Sequence, residues 1–369
     1  MPRELHNELD AALGSAYGTP EALVIMVRRE LDANLYDFAP SGSLQSMRFH
    51  LIAWAEMAGR LADLVEGMCH DMPGNTEIQA VQRKYYDWRS TVGSSVQPGA
   101  EPVVRDEDRA VGEAIGKHEL ALFVGTGTST DAGLPSWYAL AAELARKSEQ
   151  KIPPIEWATS DQISQIAQNY VNRHGLNSLI RYLKERLDTY NVRPTPAHRG
   201  LAELPVQLAF TANYDDLLER AFREAGRRVQ VVVQDSDVPF MLQGPGTVNI
   251  VKLFGDLNQP GTVVLASQQY ERYFLDRPQL IRLLETELSR LTMLYVGWSH
   301  TDPYMNLLFG ELRARLGPMG RTGYSVMFDP RAGEAEELQR KQIRPIQLAG
   351  DGDRVATLAQ WLHTLASQA

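Results

Sequence analysis

The spacing of apolar residues changes once along the chain, near residue 90. Before that point they recur three and four apart. Leu5, Leu9, Ala12 and Leu13 form one helical stripe. Thr19, Pro20 and Glu21 open a second helix, with Thr as N-cap and Pro in the first turn, and Leu23, Met26, Val27 and Leu31 line its face. The stretch 40–43 (PSGS) interrupts the pattern. It resumes over 44–68 through Met47, Leu51, Trp54, Ala55, Leu61 and Leu64, with Gly59 as a point of division. A turn at 71–75 (DMPGN) leads into a helix through Ile78, Val81, Tyr85 and Trp88. The spacing predicts an all-α helical bundle over residues 1–90.

Residues 90–101 (STVGSSVQPGAE) are rich in Ser, Gly and Pro and lack an apolar period, so a linker is expected over 91–104. Beyond it, short β-branched or aromatic runs at 120–125, 206–211, 230–233, 249–252, 293–296 and 324–328 alternate with helical stretches such as 161–172 and 176–187. This alternation predicts an α/β domain over 105–369, a doubly wound, Rossmann-like parallel sheet with helices on both faces.

Composition narrows the function classes. The chain has 369 residues, 44% hydrophobic and 22% charged, as expected of a globular protein with two or three domains. A formal charge of −9 argues against nucleic acid as a partner, since phosphate binding requires a basic face. Arg220, Arg223, Arg227 and Arg228 are the nearest thing to a basic patch, and they read equally as a solvated helix face. One cysteine, Cys69, makes neither an internal disulfide nor a four-cysteine zinc site, so no zinc is expected. The start, MPRELHNELD, has no apolar core of a secretory signal, and the runs 229–233 and 291–296 are too short to span a bilayer. A cytoplasmic protein without a membrane partner is expected.

The first chemical motif follows the 120–125 run. Glycines after a buried strand let the backbone turn sharply or approach a ligand, and amides at the next helix start favour a pyrophosphate. A purely structural turn fits the same residues. Residues 125–137 (GTGTSTDAGLPSW) resemble the first signature of the sirtuin-like family, G-A-G-x-S-x-x-x-G-[IL]-P, with Thr126 in place of Ala and Ser136-Trp137 where deacetylases have Asp-Phe. Trp137 before an Ala/Leu-rich helix is similar to the bacterial branch that cleaves NAD. The resemblance implies NAD as substrate or ligand, and places Gly125, Thr126, Gly127, Ser129, Gly133, Leu134, Pro135 and Trp137 against it.

Three further segments carry the resemblance. Residues 208–218 (LAFTANYDDLL) read as a strand ending in a polar cluster, where Asn213 offers both donor and acceptor and Asp215 and Asp216 are either helix caps or ligand groups. They resemble the signature T-x-N-[IY]-D, which implies that Asn213 is catalytic, orienting ribose or the attacking water, and that Asp215 holds the nicotinamide carboxamide. Upstream, His198 in 196–199 (PAHR) is read as structural. Residues 249–257 (NIVKLFGDL) resemble K-[LI]-H-G-[SD], which implies a site role for Gly255 but puts Phe254 where the family has a general-base histidine. A phenyl ring cannot accept a proton. Residues 294–303 (LYVGWSHTDP) resemble G-[YTF]-S-x-x-D-P, implying that Gly297 and Ser299 approach the adenosine half. Asp302-Pro303 equally starts a helix over 304–316, and His300 is either a substitute base or an exposed loop residue.

Residues 1–90 resemble the bacterial effector-associated domain, a death-fold-like adaptor that pairs with the same domain on other proteins. The resemblance implies matching-domain partners and a homo-oligomer, while a bundle that only regulates its own chain fits the same helices. Two functions follow: an NAD-cleaving effector of a bacterial antiphage or conflict system, or an inactive sirtuin-like module that binds a dinucleotide or oligomerises. Protein deacylation is disfavoured by the missing base and zinc module.

Overall fold

The computed structural model describes residues 3–31, 33–37, 39, 43–57, 60–93, 105–150, 160–298, 308–310, 312, 315–317, 320–330, 333–350 and 353–367. The chain divides into two compact units, Met1–Val103 and Val104–Ala369.

The first unit is helical throughout its described residues. Its α-helices are Arg3–Ala16, Pro20–Leu31, Leu44–Met57, Leu61–Asp71 and Thr76–Gly93. The apolar stripes meet in one core, where Leu9, Leu13, Leu23, Val27, Leu51 and Leu64 are wholly buried. Gly59, the expected point of division, lies outside the described residues. Arg48 Nε donates to Asp10 Oδ1 at 3.0 Å and ties the first helix to the third.

The second unit is built on seven strands: β1 (Leu120–Val124), β2 (Leu208–Thr211), β3 (Arg228–Val232), β4 (Thr247–Lys252), β5 (Thr292–Val296), β6 (Gly323–Phe328) and β7 (Ile343–Leu348). All neighbours are parallel, in the order β3-β4-β2-β1-β5-β6-β7. Alternate side chains supply separate cores on the two faces. Ala121, Phe123, Leu208, Phe210, Met293 and Tyr295 enter one, and Leu120, Leu122, Val124, Ala209, Leu294 and Val296 enter the other. The sheet is therefore doubly wound, as the alternation of runs predicts. The first face is covered by helices including Trp137–Lys147, Ser160–His174, Leu176–Arg186 and Pro278–Arg290. The second is covered by Asp106–Gly116, Pro196–Glu203, Leu217–Glu224 and Arg354–Ser367.

β7 is not among the six runs read from the sequence. It contains Pro345 and the exposed Arg344, and it lies at the sheet edge, where a missing amide costs no ladder bond. β1 sits where the order reverses, with β2 on one side and β5 on the other. In such sheets a crevice opens beyond the strand carboxyl ends at that point. No helix among the described residues is long and apolar enough to cross a membrane.

Candidate functional site

At the carboxyl end of β1, where such a crevice is expected, the loops after β1, β2 and β5 come together. The β1 and β5 loops are in backbone contact. Gly127 N donates to Gly297 O at 2.8 Å, and a Cβ at Gly125 would collide with the Gly297 carbonyl and with Trp298. Gly297 itself has φ +66, and a Cβ there would lie 2.8 Å from Thr128 N. These glycines are thus demanded by the approach of two protein loops, whatever else the crevice holds. Thr126 precedes a single helical turn, Gly127–Thr130, that presents Ser129 inward.

Asn213 lies just past β2. Its amide nitrogen donates to Gly125 O at 3.2 Å and to Ser129 Oγ at 2.9 Å. Ser129 Oγ in turn donates to Asp215 Oδ2 at 2.7 Å. Because Gly125 O only accepts, the amide orientation is fixed, with Nδ2 toward the β1 loop. Oδ1 is left buried with no hydrogen-bond partner, on a side chain only 4% exposed. The other Asp215 oxygen accepts from Leu217 N, the first residue of the next helix, at 3.1 Å, so this carboxylate holds both that amide and Ser129. Thr211 Oγ1 donates to Val124 O at 2.8 Å and accepts from Asn213 N at 3.0 Å, which sets the exit angle of the chain.

Leu134 is buried and its amide donates to Ser129 O at 3.1 Å, folding the 131–135 turn back over the helical turn. Gly133 is exposed at φ +92, and Pro135 is half-buried. Trp137, also half-buried, packs edge-on against Tyr214, with ring centroids 5.0 Å apart. Tyr214 OH donates to Val264 O at 2.6 Å, and Val264 N donates to Phe254 O at 2.9 Å. This chain of contacts links the Trp137 wall to the loop after β4.

Phe254 is 5% exposed, and its ring sits edge-on to Tyr270 and Tyr273 at 5.4 and 5.5 Å. Gly255, at φ +97, lies so close to the Thr262 carbonyl that any side chain would collide with it. Arg277 fastens this loop from behind. Its guanidinium donates to Leu253 O at 2.9 Å, to Val233 O at 3.2 Å and to Thr262 O.

A buried charge network lies beneath. Lys252, wholly buried, reaches Glu219 Oε1 at 2.8 Å and Asp256 Oδ2 at 3.2 Å. Burial opposes the ammonium, but the Glu219 and Asp256 carboxylates outweigh it and hold its pKa above the ordinary lysine value. Burial pushes the Glu219 carboxyl up. The motif reading gives none of the three a site role, although Lys252 and Asp256 stand at the ends of the K-[LI]-H-G-[SD] segment. His198 is also wholly buried. Its Nδ1 meets the Thr195 amide and hydroxyl in a capping box, and burial lowers its pKa to about 4.

Of the residues expected at the site, Gly125, Gly127, Ser129, Asn213, Asp215 and Gly297 meet at the crevice. Leu134 closes on Ser129, and Trp137 is joined to it through Tyr214. Gly255 stands on the β4 loop with its own close contact. Thr126 is half-buried at the start of the helical turn, with no side-chain cap bond. Ser299, His300, Asp302 and Pro303 lie outside the described residues. The helix expected over 304–316 is described only in part, with Leu308, Phe309, Leu312 and Leu316 buried.

A doubly wound parallel sheet with a polar cluster at its switch point has its polar groups where α/β proteins of this class place ligands. Residues 207–346 match the family model of the SIR2-like domain, and residues 1–86 match that of effector-associated domain 1. The second unit is thus similar to a SIR2-like domain, and the first to an effector-associated domain. It is 30% identical over 220 residues to the NAD(+) hydrolase ThsA of Acinetobacter baumannii, which covers 59% of this chain and 44% of that protein. It is 26% identical to the Bacillus cereus protein of the same name, over 69% of this chain and 50% of the relative. Defense-associated sirtuin 2 of Bacillus subtilis is 26% identical over 63% of this chain and 23% of its own length. The chain spans half or less of the length of these relatives.

Proposed function

We propose that the chain is an NAD+ hydrolase acting as the effector of a bacterial antiphage or conflict system. The observation that carries this reading is Asn213, whose amide is clamped through Nδ2 while Oδ1 remains a buried, unpaired acceptor. A buried acceptor without a partner is costly, on the order of 1–3 kcal/mol, and a bound ribose hydroxyl or water would satisfy it. The names of the relatives, NAD(+) hydrolase, agree with such a ligand.

In the reaction the nicotinamide–ribose C–N bond breaks, and its electron pair leaves with the nicotinamide nitrogen. Water oxygen bonds to the ribose carbon, and the water proton passes to solvent, yielding nicotinamide, ADP-ribose and a proton. The ribose carbon passes through an oxocarbenium-like state, so positioning and charge stabilisation matter more than a strong base. Asn213 Oδ1 orients the water or a ribose hydroxyl. Asp215, held by Ser129 and the Leu217 amide, faces the nicotinamide carboxamide. Thr126, Gly133, Pro135 and Gly255 complete the surround, and the reaction requires no zinc.

The helical unit recruits or assembles the effector through proteins carrying a matching domain, or through further copies of this chain as a homo-oligomer, in the cytoplasm. Ile25, Tyr36 and Phe49, at 61, 51 and 47% exposed, give this unit apolar groups to offer a partner. One observation favours a second reading, a module that binds NAD or a related nucleotide without cleaving it. The Phe254 ring is packed by two tyrosines in the place of a base.

Asn213→Ala tests the first reading. The variant is expected to keep its melting temperature within a few degrees and to lose nicotinamide release. Equal release by both folded proteins would remove Asn213 from the mechanism.

A further inference from the structure

Lys252 is the last residue of β4 and the one charged residue of that strand. Four oxygens surround its Nζ: the carbonyls of Tyr214 at 3.2 Å and Asp215 at 2.6 Å, Glu219 Oε1 at 2.8 Å and Asp256 Oδ2 at 3.2 Å. A counterion for two acids has no need of two backbone carbonyls. These carbonyls belong to the turn that carries Asn213 and Asp215, whose side chains hydrogen-bond Ser129 from the β1 loop. That turn leaves β2 outside any sheet ladder, so its carbonyls require partners from elsewhere. β4 and the loop after it supply them: Leu253 N reaches Thr211 O at 2.9 Å, Leu257 N reaches Tyr214 O at 3.4 Å, and Lys252 reaches both the Tyr214 and Asp215 carbonyls.

We propose that Lys252 is a positioning residue, whose ammonium clamps the Tyr214 and Asp215 carbonyls and so fixes the 213–215 turn with the Asn213 amide at the crevice. For its catalytic consequence this rests on the hydrolase reading, whereas the clamp is a property of the folded chain. Specificity for lysine follows from geometry. An ammonium donates three protons from one point to divergent acceptors, which a planar guanidinium or a neutral side chain does not reproduce.

Lys252→Met alone would leave Glu219 and Asp256 buried and uncompensated, so unfolding would obscure the result. The informative protein is the full chain with Lys252→Met, Glu219→Gln and Asp256→Asn together, beside the double Glu219→Gln/Asp256→Asn variant that keeps the lysine. Thermal melting reports the fold, hydrogen–deuterium exchange of peptides spanning 211–217 reports the turn, and kcat and KM for NAD report its consequence. The triple variant is expected to melt cooperatively, to exchange faster over 213–217 than the double variant, and to lose kcat on the order of 10²-fold with a smaller change in KM. Wild-type protection and kcat in the folded triple variant would overturn the proposal, as would equal loss of protection in the double variant. If the wild-type chain releases no nicotinamide, the hydrolase reading fails, and the exchange comparison still decides whether Lys252 holds the turn.

Discussion

Phe254 concentrates the chemical question in one side chain. Its ring lies between Tyr270 and Tyr273 at the position where the family resemblance calls for a proton acceptor. A hydrolase working without that acceptor relies on orientation by Asn213 and on the stability of nicotinamide as a leaving group. Phe254→His is then expected to raise turnover, by up to about 10²–10⁴-fold if the imidazole is well placed. It should also lower stability on the order of 1–3 kcal/mol, because a polar ring replaces an apolar one in an aromatic setting. Steady-state rates and melting curves of the one variant separate the two readings. A lower melting temperature with no gain in rate would favour the binding module. The motifs nominate Ser129, Asn213 and Asp215 one by one. That they share hydrogen bonds, and that Lys252 lies beneath them, is not legible in the sequence, because such contacts depend on the register of β1, β2 and β4.

The helix Pro196–Glu203 shows an element set by its first turn. Thr195 caps it, Pro196 starts it, and His198 completes the capping box from a wholly buried position. With its pKa lowered from 6.5 to about 4, chiefly by burial, His198 binds its proton more readily in the unfolded chain. Its contribution is therefore fully present above pH 6.5 and is lost as pH falls from 6.5 towards 4, by roughly 3 kcal/mol in all. Melting temperatures measured across that window should fall with pH in the wild type and less steeply in His198→Gln. Parallel slopes would show that another group titrates. Among the strands, β1, β2, β4, β5 and β6 are legible as compact apolar runs because both of their faces are buried. β3 is an edge strand with an exposed start, and it begins two residues before its apolar run. β7 escapes because proline and arginine interrupt it, which an edge position tolerates. The helices Pro278–Arg290 and Arg354–Ser367 carry ordinary apolar stripes with no motif to single them out.

At the scale of the whole molecule, the change of apolar period near residue 90 and the division into Met1–Val103 and Val104–Ala369 are independent observations. Limited proteolysis should cut first within 90–101, where Ser, Gly and Pro replace the apolar pattern, and release two fragments that each resist further digestion. A first cut inside either unit would argue against separable domains. The most direct test of the central claim is to incubate the purified 369-residue chain with NAD and quantify nicotinamide and ADP-ribose. The hydrolase account predicts equal amounts of both, accumulating with time and absent with Asn213→Ala. NAD recovered intact from a folded wild-type chain that demonstrably binds it would contradict that account.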